Sequence, residues 1–207
     1  MDALSLNRKA WNAIGSKIAS PYLKHAKYAE IFTLFCDRLP KHARVLDVGC
    51  GPGIPIGKAL VGKDFKVTGV DLSETMVSLA KNNVPEAGFL CMSMTDLDEK
   101  EVYDGIIAAY SMLCLEPEQF KQTAQRMVTA LKPGGLLLVT LNEPSGAHKE
   151  EESYACIMGQ RMYSRPYTET EVKAAFEDLT LVKVERELAL SKEYGEEHGL
   201  YVLMKKP

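Results

Sequence analysis

Residues 45–53 read VLDVGCGPG, and this stretch constrains the chain more than any other. "ARVLDVG" is a short, nearly continuous apolar run, as in a strand buried on both faces. Gly49, Gly51 and Gly53 follow at alternate positions. They let the backbone turn sharply and let a ligand approach the main chain. A helix is expected from about Ile54, with Pro55 tolerated in its first turn. Its unpaired N–H groups would point at that ligand. A buried strand, a glycine turn and a helix N-terminus together imply an α/β fold with a ligand at the turn.

The pattern continues downstream. "FKVTGVD" reads as a second strand, and Ser73 as the cap of a helix, "SETMVSLAKNN". "GFLCMS" and "YDGIIAAYS" are further strands. Residues 116–131 are helical, and "GGLLLVTL" is a fifth strand after a Lys132-Pro133-Gly134-Gly135 turn. Strands alternating with helices imply a parallel sheet covered on both sides. Two helices, 4–19 and 24–39, precede it, separated at Ser20-Pro21. The alternation breaks near Asn142, and residues 143–166 show no clear period. A helix from about Thr168 follows. "LVKVERELAL" and "HGLYVLMKK" then read as an antiparallel pair at the sheet's end. A chain of 207 residues suits one core, burying roughly 70% of the unfolded surface. The expected organisation is a single domain over 1–207, with a helical cap at 1–40 and an insertion at 143–166 on the substrate side.

Ligands of doubly wound sheets bind beyond the carboxyl ends of the strands, where strand order reverses. About twenty residues after the glycines, Asp71 ends the second strand, where an acid can accept both ribose hydroxyl protons. Dinucleotides and S-adenosylmethionine both use this plan. Asp47 discriminates between them. A buried carboxylate two residues before Gly49 would repel a pyrophosphate and suits a ligand with an ammonium group.

The motif D-x-G-x-G-x-G with a later strand-end Asp resembles class I S-adenosylmethionine-dependent methyltransferases of the small-molecule type. The similarity runs through "VLDVGCGPG", "VTGVDLS", "CMSMTDLD", "YDGIIAAYSMLCL" and "ALKPGGLLLVTLNEP", and the tail resembles that family's closing segments. The resemblance implies a Rossmann-like, seven-stranded, mostly parallel sheet whose last strand is antiparallel. Carried over by position, Gly49, Gly51 and Gly53 would line the methionine moiety. Asp71 would hold the ribose, with Leu72 beside it. Ser93 and Met94 fall where relatives meet the adenine. Ser93 departs from the acid common there, and Asp96 is the alternative partner. Tyr110 and Ser111 would sit beside the sulfonium. Many relatives carry His where Cys114 stands. Trp11 and Tyr22 resemble N-terminal aromatics that close over the cofactor.

Composition bears on the acceptor. The formal net charge is −3, without the basic excess that displaces phosphate counterions. No Asn-Pro-Pro-Tyr-type motif follows the fourth strand. A small-molecule acceptor is therefore expected, with no nucleic acid and no membrane as partner. The longest apolar run, "GGLLLVTL", is too short to span a bilayer, and "MDALSLNRKAW" lacks a signal peptide's apolar core. The five cysteines are scattered without a CxxC, which fits reduced thiols in the cytoplasm. No metal-ligand cluster is visible. Tyr110, His148 and Tyr163 are candidates for a base. Trp11, Arg161 and Tyr163 are candidates for the acceptor site, where arginines could pair with an anionic group. Two other readings stay open: a catalytically silent partner subunit that binds S-adenosylmethionine, and an NADP-dependent reductase, for which Asp71 has the wrong charge. The methyl acceptor, the atom methylated and the oligomeric state are left open.

Overall fold

The first strand, β1 (Arg44–Val48), is buried at four successive residues from Val45. Such a strand requires cover on both faces of its sheet. The computed structural model, which describes residues 2–17, 25–144, 153–191 and 195–207, shows that cover. β1 lies parallel between β2 (Lys66–Asp71) and β4 (Tyr103–Ala109). β3 (Gly88–Cys91) extends the sheet beyond β2, and β5 (Leu131–Asn142) pairs with β4, both parallel. β9 (Gly195–Lys205) runs antiparallel to β5, and β8 (Thr180–Ser191) antiparallel to β9. The seven-stranded order is β3-β2-β1-β4-β5-β9-β8, with β9 alone against the rest. This is the expected doubly wound sheet. Its order reverses between β1 and β4, so a crevice forms beyond their carboxyl ends.

Alternation along the strands divides the core. Ile106 and Ala108 face one layer, and Ile107 faces the other. The second layer holds α2 (Ala26–Asp37), whose Tyr28, Ile31, Phe32 and Phe35 form one helical stripe, and α3 (Ile56–Val61). The first holds α5 (Pro117–Ala130) and α6 (Glu169–Ala175) through Phe120, Met127, Val172 and Phe176. Truncating a buried ring such as Phe35 would cost about 3–5 kcal/mol. α2, within the segment expected as a cap, thus packs its apolar stripe into the core. Of the two N-terminal helices, α1 (Ala3–Ile14) alone reaches the ligand face, where it packs on α4 (Glu74–Asn83).

Boundaries shift in three places. α1 stops at Ile14 and passes into one 3-10 turn, Gly15–Lys17. α3 begins at Ile56, past Pro55. The Lys132–Gly135 turn loops out of a strand that already pairs at Leu131 with Tyr103 and resumes at Leu136 with Gly105. The Ser20-Pro21 break lies outside the described residues. The segment read as aperiodic contains a hairpin, β6 (Tyr154–Ile157) and β7 (Gln160–Tyr163). Its two-residue turn has positive φ at both Met158 (49°) and Gly159 (77°), the geometry that matches strand twist in tight hairpins. Among the described residues, no helix is long and apolar enough to cross a membrane.

Candidate functional site

The turn after β1 folds back over β2. The N–H groups of Gly49 and Cys50 both donate to the Val70 carbonyl, at 2.8 and 3.0 Å. Gly49 has φ +71°, and a Cβ there would lie 2.2 Å from Cβ of Ser111. Ser111 in turn donates its hydroxyl to the Val48 carbonyl at 2.5 Å. Gly49 is thus required by the packing of the β4 turn against it. Gly51 is different. Its φ is +53° and nothing lies within 4 Å of where a Cβ would stand, so it leaves an open floor. Gly53 faces away: a Cβ there would meet Ala80 of α4 and Phe89 at 3.2–3.3 Å. Gly49 and Gly51 line the crevice, and Gly53, expected with them, does not.

Two carboxylates flank this floor. Asp71 accepts from the Gly51 N–H through Oδ2 and from the Ser73 N–H through Oδ1, both at 2.9 Å. Asp47 is 1% exposed, and its Oδ2 has no hydrogen-bond partner among the described residues. Burial, and then the neighbouring Asp71 charge, push the Asp47 carboxyl up to about 7. Burial raises Asp71 as well, opposed by the N–H groups that it accepts from. A buried carboxylate oxygen without a partner is costly unless a cation or donor meets it. The crevice is therefore shaped to receive positive charge or N–H donors at Asp47.

The remaining wall comes from four places. Leu72 follows β2. Ser93 and Met94 follow β3. Tyr110, Ser111, Cys114 and Leu115 follow β4, and Leu4, Asn7 and Trp11 come from α1. Ser93 is 8% exposed, and its hydroxyl is engaged by the Thr95 N–H at 3.2 Å and the Thr95 hydroxyl at 2.7 Å. Asp96 is exposed and outside the crevice. Burial pushes the Cys114 thiol up to about 11, with a hydrogen bond to Trp11 opposing it, so the thiol stays protonated.

Sequence reasoning missed Asn7. Its side chain donates to the carbonyls of Cys114 (3.1 Å) and Tyr163 (3.0 Å) and accepts the Tyr163 N–H (2.8 Å). One buried amide thus ties α1 to the turn after β4 and to β7. Asn12 does the same for α4, accepting from the Ser73 hydroxyl at 2.6 Å and the Thr75 N–H at 3.2 Å. A polar residue on the apolar stripe of α1 was the available signal.

Two expectations need correction. Arg161 and Tyr163 do not line the crevice. Alternation along β7 turns Met162 into the contact with Ala10, Ile14 and Met76 and leaves Arg161 exposed, 4.4 Å over the Tyr154 ring. Tyr163 is buried, edge-on to Tyr154 at 5.6 Å. The hairpin therefore backs α1 instead of facing the crevice. Tyr22 and His148 lie outside the described residues.

A family model for a methyltransferase domain matches residues 45–135, from β1 to the turn within β5. The trans-aconitate 2-methyltransferase of Variovorax paradoxus is 34% identical over 106 residues, 50% of this chain and 40% of that one. The tRNA N(3)-methylcytidine methyltransferase trm140 of Schizosaccharomyces pombe is 28% identical over 144 residues, 62% of this chain and 47% of that one. The chain thus spans less than half the length of these curated relatives. The crystal structure of the Burkholderia thailandensis 1,6-didemethyltoxoflavin-N1-methyltransferase, bound to its acceptor and S-adenosylhomocysteine, superposes with a TM-score of 0.75. It is 20% identical, and the match covers 98% of this chain and 88% of that one. Residues 45–135 thus match a methyltransferase domain, and the strand order gives the chain the Rossmann-like fold of S-adenosylmethionine-dependent methyltransferases.

Proposed function

We propose that the protein transfers a methyl group from S-adenosylmethionine to a small-molecule acceptor. The observation that carries this reading is Asp47, buried with a partnerless Oδ2 beside the open floor at Gly51. A pyrophosphate would meet a carboxylate there, whereas the ammonium of a methionine moiety would neutralise it. The residues present fit that cofactor. Asp71 is held ready for the ribose by two N–H groups, Leu72 stands beside it, and Ser93 and Met94 offer the adenine wall.

When bound, S-adenosylmethionine supplies a methyl group on a positively charged sulfur, and in-line attack discharges that charge. The protein's part is alignment and exclusion of water. Leu4 and Trp11 of α1 and Leu115 after β4 give the crevice apolar walls. These walls, and a net charge of −3, support a small acceptor held between α1 and the β4 turn. The relative and the solved structure named for aconitate and didemethyltoxoflavin favour the same class. The relative named for a tRNA makes RNA the rival acceptor. Burial pushes the Cys114 thiol up to about 11, which disfavours the thiolate that a base would require. An acceptor that arrives ionised, or with a free lone pair, needs none.

Thermal unfolding tests the cofactor assignment. S-adenosylhomocysteine at about 100 times its dissociation constant stabilises the fold by about 2.7 kcal/mol. That is a shift of several degrees, roughly 5–10 °C, for a domain of this size. NADPH gives no comparable shift. Stabilisation by NADPH alone would make the protein a reductase.

A further inference from the structure

We infer that Tyr201, a buried residue of the antiparallel strand β9, is a positioning residue that fixes Tyr110 as the crevice's cation-facing aromatic. This inference rests on the cofactor reading above. Tyr110 is the residue after β4, where it enters the left-handed region with φ 52°. Bulky side chains rarely adopt that conformation, and where they do the surroundings hold it. Two restraints are visible here. The Tyr110 N–H donates to Thr140 of β5, at 3.0 Å to the carbonyl and 3.2 Å to the hydroxyl. The Tyr110 hydroxyl donates to the Tyr201 hydroxyl at 3.1 Å.

Tyr201 is itself fixed. It sits directly opposite Thr140 across the β5–β9 ladder, and it is fully buried. Gly199 makes room for it: a Cβ at that position would lie 2.6 Å from the Tyr201 hydroxyl. Tyr28 of α2 completes the nest, edge-on to Tyr201 at 5.4 Å and stacked with Tyr110 at 6.3 Å. Tyr110 alone of the three lines the crevice, next to the Ser111 that packs on Gly49. Its hydroxyl is drawn into the core, so its contribution to the crevice is the ring. This removes Tyr110 from the candidate bases.

A ring held at this place attracts a cation through its quadrupole. The cofactor carries a positive sulfur before transfer and a neutral one after. A fixed Tyr110 ring therefore favours S-adenosylmethionine over S-adenosylhomocysteine and helps release the product. The ammonium is common to both ligands, so the ratio of the two affinities reads the sulfonium alone.

Calorimetry with both ligands on the wild type, Tyr110→Leu, Tyr110→Phe, Tyr201→Phe and the double Phe variant tests this. Tyr110→Leu should weaken S-adenosylmethionine about 3- to 30-fold and leave S-adenosylhomocysteine within about twofold. Tyr110→Phe and Tyr201→Phe break the same hydroxyl bond. Each should lower the affinity ratio by a smaller and similar factor, and the double variant should go no further. Equal weakening of both ligands in Tyr110→Leu, an unchanged ratio, or additive Phe effects would overturn the inference. Those outcomes leave the cofactor reading intact. A wild type that binds neither ligand would end both.

Discussion

Gly51 donates its backbone N–H to Oδ2 of Asp71 at 2.9 Å, across twenty residues of sequence. The glycine turn after β1 is thereby locked to the end of β2 before any ligand arrives. The acid assigned to the ribose is also the acid that shapes the floor, and the two roles separate by substitution. Asp71→Ala should weaken S-adenosylhomocysteine about 10- to 150-fold, since charged hydrogen bonds contribute about 1.5–3 kcal/mol. It should also lower stability, by on the order of 1–3 kcal/mol, because the N–H groups of Gly51 and Ser73 lose their acceptor. Asp71→Asn should recover part of the stability and little of the affinity. Urea unfolding and calorimetry report the two separately. Unchanged affinity in both variants would place the ribose elsewhere.

Asp47 predicts a pH dependence. Burial raises its carboxyl from the usual range to about 7, so the fold disfavours its ionised form. Its contribution to stability is most favourable below the unfolded carboxylate range. It declines as pH rises from about 4 towards 7. A ligand ammonium at Asp47 reverses the preference. Affinity should rise between pH 5 and 8, with release of up to about one proton per site below pH 7. Calorimetry in two buffers of different ionisation enthalpy counts that proton. Asp47→Asn should bind weakly and flatten the profile. A wild-type affinity that ignores pH would mean that Asp47 meets no cation.

The two glycines of the floor should respond differently to alanine. At Gly49 a Cβ would strike Ser111 at 2.2 Å, so Gly49→Ala should cost several kcal/mol or abolish folding. At Gly51 the space is open, and only the positive φ is penalised, by about 1 kcal/mol. Gly51→Ala should therefore fold and yet bind cofactor poorly, since the methyl group would occupy the floor. Melting temperatures in the reverse order would contradict this division of roles.

The strand–helix alternation was legible because each element carries its own period. The continuous apolar runs at Val45 and Leu136 required a sheet covered twice, and the sheet is so covered. Asp47 could be singled out because a carboxylate inside an apolar run needs a reason. The β6–β7 hairpin was not read. Its strands are four residues each, too short for alternation to register, and its turn signal was the single pair Met158-Gly159. Gly53 was read with its neighbours because spacing does not reveal which glycine meets a ligand and which meets a helix. Asn7 interrupts the apolar stripe of α1, but its partner was hidden for another reason. Its partner Tyr163 lies 156 residues away, and local periodicity says nothing about contacts at that distance.

Asn7 should matter for stability more than a mid-helix Asn normally does. Asn7→Leu leaves the Tyr163 N–H and two carbonyls without partners, each buried orphan costing about 1–3 kcal/mol. A loss of about 3 kcal/mol or more is expected in urea unfolding, with faster hydrogen exchange at Tyr163. Cofactor affinity should fall less than in Asp71→Ala. A variant as stable as the wild type would show that α1 is held by its apolar stripe alone.

Methyl transfer itself is the most direct test. The protein is incubated with S-adenosylmethionine labelled in its methyl group and a cell extract divided into metabolites, RNA and protein. The label should appear in the metabolite fraction, on a compound whose mass rises by one methyl group. Asp71→Ala should abolish its appearance at low cofactor concentration. Label recovered in RNA or protein would contradict the small-molecule assignment, and tight cofactor binding without transfer to any fraction would mark a silent partner subunit.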